Sequence, residues 1–164
     1  MHRSDGFTLI ELVVVIVILG VLSAFALPRF ADLGSEARRA KIEGAAGAMR
    51  SAAQVVFTTC QVQDNCDPSE GPAAGNGLGN SIALEGEDVI LAYGYPRDSQ
   101  KTGIARAAQI QDISDGGDYD LATFVDGLRV RPDDDTAANE CEVRYIQPSS
   151  AGDAPEFEVD VDGC

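Results

Sequence analysis

Tryptophan is absent from this sequence, histidine occurs once, at position 2, and aromatic residues make up only 6% of the chain. A single histidine among the first residues supplies no Ser/His/Asp or Cys/His arrangement for nucleophilic catalysis. The glycine-rich stretch from Gly75 to Ser81 lacks the strand, helix and lysine context of a phosphate cradle. Neither an enzyme nor a cofactor is therefore expected. Basic residues are also scarce: 12 Lys and Arg against 27 Asp and Glu give a formal net charge of -15. Such a surface repels polyanions, so no nucleic-acid partner is expected. With 17 glycines and few aromatics, the core should be modest and in need of cross-links.

No C-x-x-C occurs and the one histidine is far from every cysteine, so a zinc site lacks its usual ligands. Cys60, Cys66, Cys141 and Cys164 read instead as disulfide partners. Three pairings are possible; Cys60–Cys66 with Cys141–Cys164 is favoured because each partner is then the nearest in sequence. The chain-entropy relation gives these two loops about 2.4 and about 3.4 kcal/mol respectively. Lasting disulfides place the C-terminal part outside the cytoplasm.

Charge is missing altogether from Leu12 to Leu27. As a helix, Phe7 to Leu27 would extend about 31 Å, close to the hydrocarbon thickness of a bilayer, so this segment is expected to cross a membrane. It is too long for a signal-peptide core, follows the barely basic MHRSD and runs on without an A-x-A cleavage site, which argues against an ordinary secretory signal. One carboxylate, Glu11, interrupts it near its start. A carboxylate in a membrane costs roughly 2.5–3.5 kcal/mol and usually has a function or a partner. The segment offers no Lys, Arg or His to pair with it.

The stretch GFTLIELVVVIVILGVLSAFALPRF resembles the N-terminus of type IV pilins and pseudopilins: a short polar leader ending in Gly, a Phe after it, and Glu five residues into the mature chain. The resemblance implies that a prepilin peptidase cuts between Gly6 and Phe7 and methylates the new amine of Phe7. It further implies that Glu11 pairs with that amine on a neighbouring subunit; pairing within one chain, four residues away, is the alternative. The leader departs from the usual pattern in carrying Asp5 and only Arg3 as a firm positive charge. Pro28 removes a backbone donor and crowds the preceding turn, which predicts a kink. Helix loss between Gly20 and Pro28 on assembly is implied by the resemblance alone.

Downstream, Asp32, Glu36, Arg39, Glu43, Arg50 and Gln54 follow helical spacing as a wet face. Ile42, Ala46, Met49, Ala53 and Val56 form an apolar stripe that should pack on a head domain. SIAL and DVILAYGYP read as strands around the turn EGE, and TGIARAAQIQDI as a short helix. LRVRP, CEVRYIQP and EFEVDVDGC read as strands whose inward residues include Phe157, Val159 and Val161. The expected fold is α+β, a long N-terminal helix packed on a small antiparallel sheet, pilin-like. Its layout is a leader 1–6, a helix 7–59 with the transmembrane and filament-core segment 7–28, and a head 60–164.

The late motifs YGYP, CEVRY and terminal GC are similar to pilins of the mannose-sensitive haemagglutinin class, where a disulfide closes the C-terminal region. Three acidic clusters, Asp112/Asp115/Asp118/Asp120, Asp133 to Asp135 and Asp160/Asp162, read as solvated surface. Calcium in the Asp112 to Asp120 loop is the sharper alternative, although none of the clusters completes an EF-hand. Arg129, Arg131 and Arg144 are expected to pair with nearby acids. Taken together, the resemblance implies a structural subunit that enters the inner membrane as a prepilin, head in the periplasm. The pilus assembly machinery would then polymerise it into an extracellular homo-oligomeric helical filament for adhesion or motility. A type II secretion pseudopilin is the nearest alternative. A minor pilin acting as an adhesin or binding module is the other.

Overall fold

The computed structural model describes residues 7–64, 66–72, 80–125, 127–132 and 140–164, with the backbone alone for 26–32. The chain forms two compact units, Met1–Ala37 and Arg38–Cys164, and helix α1 (Leu9–Val62) contributes to both. The helix extends past the expected end at residue 59 and includes both Gly20 and Pro28 without a break in its assignment.

In the first unit, α1 is apolar on every side, and its large side chains from Leu9 to Phe25 are all exposed, Val13 least at 42%. Ser23, polar in this run, returns its hydroxyl to the Leu19 carbonyl at 2.7 Å, the local bond that lets serine sit inside an apolar helix. No helix among the described residues is long and apolar enough to cross a membrane. The stretch described with side chains, Leu9 to Phe25, measures about 25 Å as a helix, short of the ~30 Å hydrocarbon core. The rest of the expected span, 26–28, lies outside that description.

In the second unit the predicted stripe is buried: Ile42, Ala46, Met49, Ala53 and Val56 are all at most 2% exposed, and Ala45 joins them. Glu36, Arg39, Glu43, Arg50 and Gln54 face solvent as expected. Strands β1 (Ser81–Leu84), β2 (Glu87–Ala92) and β3 (Tyr95–Pro96) form one antiparallel sheet. The β1–β2 turn has positive φ at both central residues, Glu85 (52°) and Gly86 (85°), as a tight hairpin with right-handed twist requires. After helix α2 (Ile104–Ala107), strands β4 (Tyr119–Phe124), β5 (Gly127–Pro132), β6 (Glu142–Ile146) and β7 (Glu156–Asp160) form a second antiparallel sheet in that spatial order.

The single small sheet of the sequence reading is thus two sheets, and each has its own core on a different part of α1. Ile42 to Ala53 pack with Ile104, Leu121, Leu128, Val130, Val143 and Tyr145. Val56 and Cys60 pack with Ile82, Val89 and Leu91. Tyr145 is fully buried and donates its hydroxyl to the Pro96 carbonyl at 2.6 Å, which satisfies the polar end of an otherwise apolar side chain. Gly127 opens β5 at φ 145°, and a Cβ there would stand 2.4 Å from the Tyr145 carbonyl oxygen, so only glycine fits.

Three local expectations are corrected. The helix expected over TGIARAAQIQDI is confined to Ile104–Ala107, because Gln109 takes a left-handed φ of 56° and ends the turn. A strand not foreseen, β4, follows the Asp112 to Asp118 segment, with a 3-10 turn at Ile113–Asp115 between. Val159, expected inward, is 37% exposed.

Candidate functional site

The residues that motivate a functional site lie at the start of α1. Thr8 precedes the first helical residue, where four backbone N–H groups lack intrahelical partners. Its hydroxyl accepts from the Glu11 amide at 3.3 Å. Glu11 Oε2 in return takes the Thr8 amide at 3.1 Å and the Thr8 hydroxyl at 2.7 Å. This is a reciprocal capping box, the T-x-x-E pattern that fixes a helix start. The carboxylate also suits the positive end of the helix dipole. Sequence reasoning sought a cation for Glu11 and missed Thr8, although TLIE carries the capping signature.

Phe7 stands beside this cap and is 82% exposed. Gly6, the other half of the expected cleavage site, lies outside the described residues, as does the rest of the leader. Gly20 sits in α1, and beyond the helix's own adjacent backbone no atom among the described residues lies within 4 Å of where a side chain would begin. The side chain of Pro28 lies outside the described residues. A helix bare and apolar all round is a surface that another apolar medium or other helices must cover.

Both disulfides form in the favoured pairing. Cys60–Cys66 has Cα atoms 5.2 Å apart and clasps the end of α1 to the loop that leaves it. Cys141–Cys164 has Cα atoms 4.8 Å apart and ties the residue before β6 to the last residue. Arg38, on α1, adds a hydrogen bond from Nε to the Cys164 carbonyl at 2.8 Å.

The proposed calcium loop is not assembled as a ligand set. Asp112 spends Oδ1 on the Ser114 amide and Oδ2 on the Leu121 amide, each at 2.8 Å. Hydrogen bonds from the Ser114 side chain and amide, with the Leu121 amide and Lys101, hold its carboxyl below the usual range. Asp115 pairs with Lys101 at 3.6 Å, Asp118 faces solvent, and Asp120 lies opposite Arg131 in the β4–β5 register. Among the described residues no three Asp, Glu, His or Cys side chains come together as a metal site; Asp133 to Asp135 fall outside them. A cleft of about 720 Å³ runs beside β4, lined among others by Gln100, Lys101, Arg106, Asp112 and Leu121. The three strand arginines do find acids: Glu142, only 7% exposed, meets Arg129, Arg131 and Arg144 at 3.6, 3.1 and 2.9 Å.

A family model described as the prokaryotic N-terminal methylation motif matches residues 1–27. Over 125 residues the chain is 36% identical to fimbrial protein EcpC of Eikenella corrodens, covering 74% of this chain and 79% of that one. It is 46% identical over 65 residues to the type IV narrow pilus major component of Thermus thermophilus, covering 40% of this chain and 56% of that one. It is also 32% identical over 109 residues to type IV major fimbrial protein FimA of Dichelobacter nodosus, covering 65% of each. The chain therefore spans between about half and two thirds of these last two proteins. No solved structure matches it.

Proposed function

Because the chain belongs to the type IV pilin family, we propose that it is a structural subunit of a type IV pilus and not an enzyme. The observation that carries this reading is the start of α1: a methylation-motif match over residues 1–27 on a helix whose apolar side chains are exposed from Leu9 to Phe25. The prepilin enters the inner membrane through residues 7–28, with the head 60–164 in the periplasm. Prepilin peptidase cuts after Gly6 and methylates Phe7, and the pilus machinery then assembles subunits into an extracellular helical filament for adhesion or motility. Covering that apolar helix with lipid first and with neighbouring subunits afterwards meets its physical requirement at each stage.

In the free chain Glu11 is satisfied by Thr8, so the capping box keeps the carboxylate hydrogen-bonded before assembly. Cleavage creates an amine at Phe7, one helical turn away, that can compete for it from the same chain or from a neighbour. Helix loss between Gly20 and Pro28 belongs to the assembled state. Among pilins we place the chain nearest the mannose-sensitive haemagglutinin class, a placement supported by the Cys141–Cys164 bond at the end of the head. Mass spectrometry and electron microscopy of sheared surface filaments test the whole reading. The expected result is this chain as a filament component beginning at N-methyl-Phe7. An uncut Met1, or a cut elsewhere than after Gly6, overturns it.

A further inference from the structure

β4 is an edge strand, at one end of the sheet order β4-β5-β6-β7. At its middle, the Leu121 amide donates to Asp112 Oδ2 at 2.8 Å and the Leu121 carbonyl accepts from Gln100 Nε2 at 2.6 Å. Both backbone groups therefore point away from β5, because residues of an antiparallel strand alternate in the side to which they offer their N–H and C=O. They are the donor and acceptor pair through which a further strand would join the sheet. Neither side chain comes from a strand of that sheet. Gln100 lies between β3 and α2, and Asp112 lies just before the 3-10 turn.

Asp112 is held in place for this task. Its other oxygen takes the Ser114 amide at 2.8 Å, and its backbone forms an isolated parallel bridge with Tyr119, the first residue of β4. A carboxylate and a carboxamide thus reproduce, from two separate loops, one acceptor and one donor of an absent strand. Both line the cleft of about 720 Å³ beside Leu121, whose lining among the described residues also includes Arg106 and Ile110, and an added strand needs ~4.8 Å of separation. At the end of the hairpin Phe124 is 45% exposed and Val125 fully so.

We infer that Gln100 and Asp112 are an edge guard, occupying the central backbone pair of β4 so that the β4 strands of two copies of this chain cannot join sheet to sheet. The inference stands on the head's own hydrogen bonds and is independent of the filament reading. The exposed edge would be self-complementary, because two identical antiparallel edges meet about a two-fold axis. Without the two side chains, the Leu121 amide and carbonyl would stand as an open donor and acceptor on each head, through which chains at high local density would associate.

The test is the association of the full chain in detergent micelles, followed by sedimentation across a protein-concentration series. Salt of about 0.3 M screens the acidic surfaces. Gln100→Ala with Asp112→Ala is expected to dimerise at a protein concentration roughly tenfold lower than the parent chain. Adding Thr123→Pro, two residues on and hence on the same free edge, should abolish that gain, since proline removes an outward N–H and spares the β4–β5 ladder. Association no greater than that of the parent chain overturns the inference, and so does association that Thr123→Pro leaves unchanged. If the double variant does not fold, Gln100→Met alone is read against the same two outcomes, with a smaller gain expected.

Discussion

Arg131 Nε and Glu142 Oε2 meet at 3.1 Å between neighbouring strands β5 and β6, and Glu142 is the common counter-ion of three arginines. Its other oxygen takes Arg144 Nη2 at 2.9 Å, and Arg129 Nε stands 3.6 Å away. Arg129 and Arg144 are direct cross-strand partners, a like-charge pair that would be destabilising without an acid between them. Arg129 also lies over the Phe124 ring, 4.4 Å from its centroid.

Glu142→Ala should accordingly lower the unfolding free energy by about 3 kcal/mol, the usual cost of removing one partner from a buried ion pair. Glu142→Gln, which keeps an acceptor, should cost less. Chemical denaturation of the two variants side by side measures both, and equal stability of parent and Ala variant would show that the arginines do not depend on this carboxylate.

Cys164→Ser should destabilise the head by about 2–4 kcal/mol. Arg38→Ala removes the hydrogen bond to the Cys164 carbonyl and should cost about 1 kcal/mol or more. Thermal melts with the Cys60–Cys66 bond verified intact distinguish them; an unchanged melting temperature for Cys164→Ser would make the terminal bond dispensable.

Acid should weaken the region around β4. The folded pKa of Asp112 lies below its unfolded value because of hydrogen bonds from Ser114 foremost. It therefore contributes stability that is complete above the unfolded value of about 3.9 and is lost as pH falls through the folded one. Asp67, held low by Ser69, acts in the same direction. Half-buried Asp98, whose carboxyl burial pushes up, acts in the opposite one. Asp112→Asn should show a stability deficit at neutral pH that shrinks as pH falls below the unfolded value of about 3.9. Melting curves across that range check it; a deficit independent of pH would mean that the carboxylate's charge contributes nothing.

Glu11→Val should leave membrane insertion intact, since the segment becomes more apolar, yet enter filaments poorly. Thr8→Val removes the cap hydroxyl but leaves Glu11 free to pair with the Phe7 amine, so it should assemble better than Glu11→Val. Filament yield in a strain lacking the parent subunit, with membrane content as control, measures both. Normal yield for Glu11→Val would refute the pairing.

What the sequence made legible was periodicity. The apolar stripe of α1 and strands β5 and β6 repeat often enough for spacing alone to place them, and cysteine proximity found both disulfides. β4 escaped because only Leu121 in Tyr119–Phe124 is buried, while Asp118 and Asp120 have the composition of a loop. The division into two sheets escaped because it depends on which turn of α1 each strand meets. The convergence of three arginines on Glu142 was beyond reach for a related reason: register across strands decides it, and Glu142 adjoins Cys141 in a motif read for its cysteine. Thr8 was different, since the capping pattern was present in the letters but the stretch was read for its membrane character.

The two cores of the head lie on successive stretches of one helix, Ile42 to Ala53 and then Val56 to Cys60, with the Cys60–Cys66 clasp at the end of the second. Under tension applied along that part of the helix, both cores hold the same helix and would share the load. The clasp keeps the final turn from unwinding to relieve the strain. A mechanical pull that slides the helix out of this head would therefore have to disrupt two hydrophobic cores.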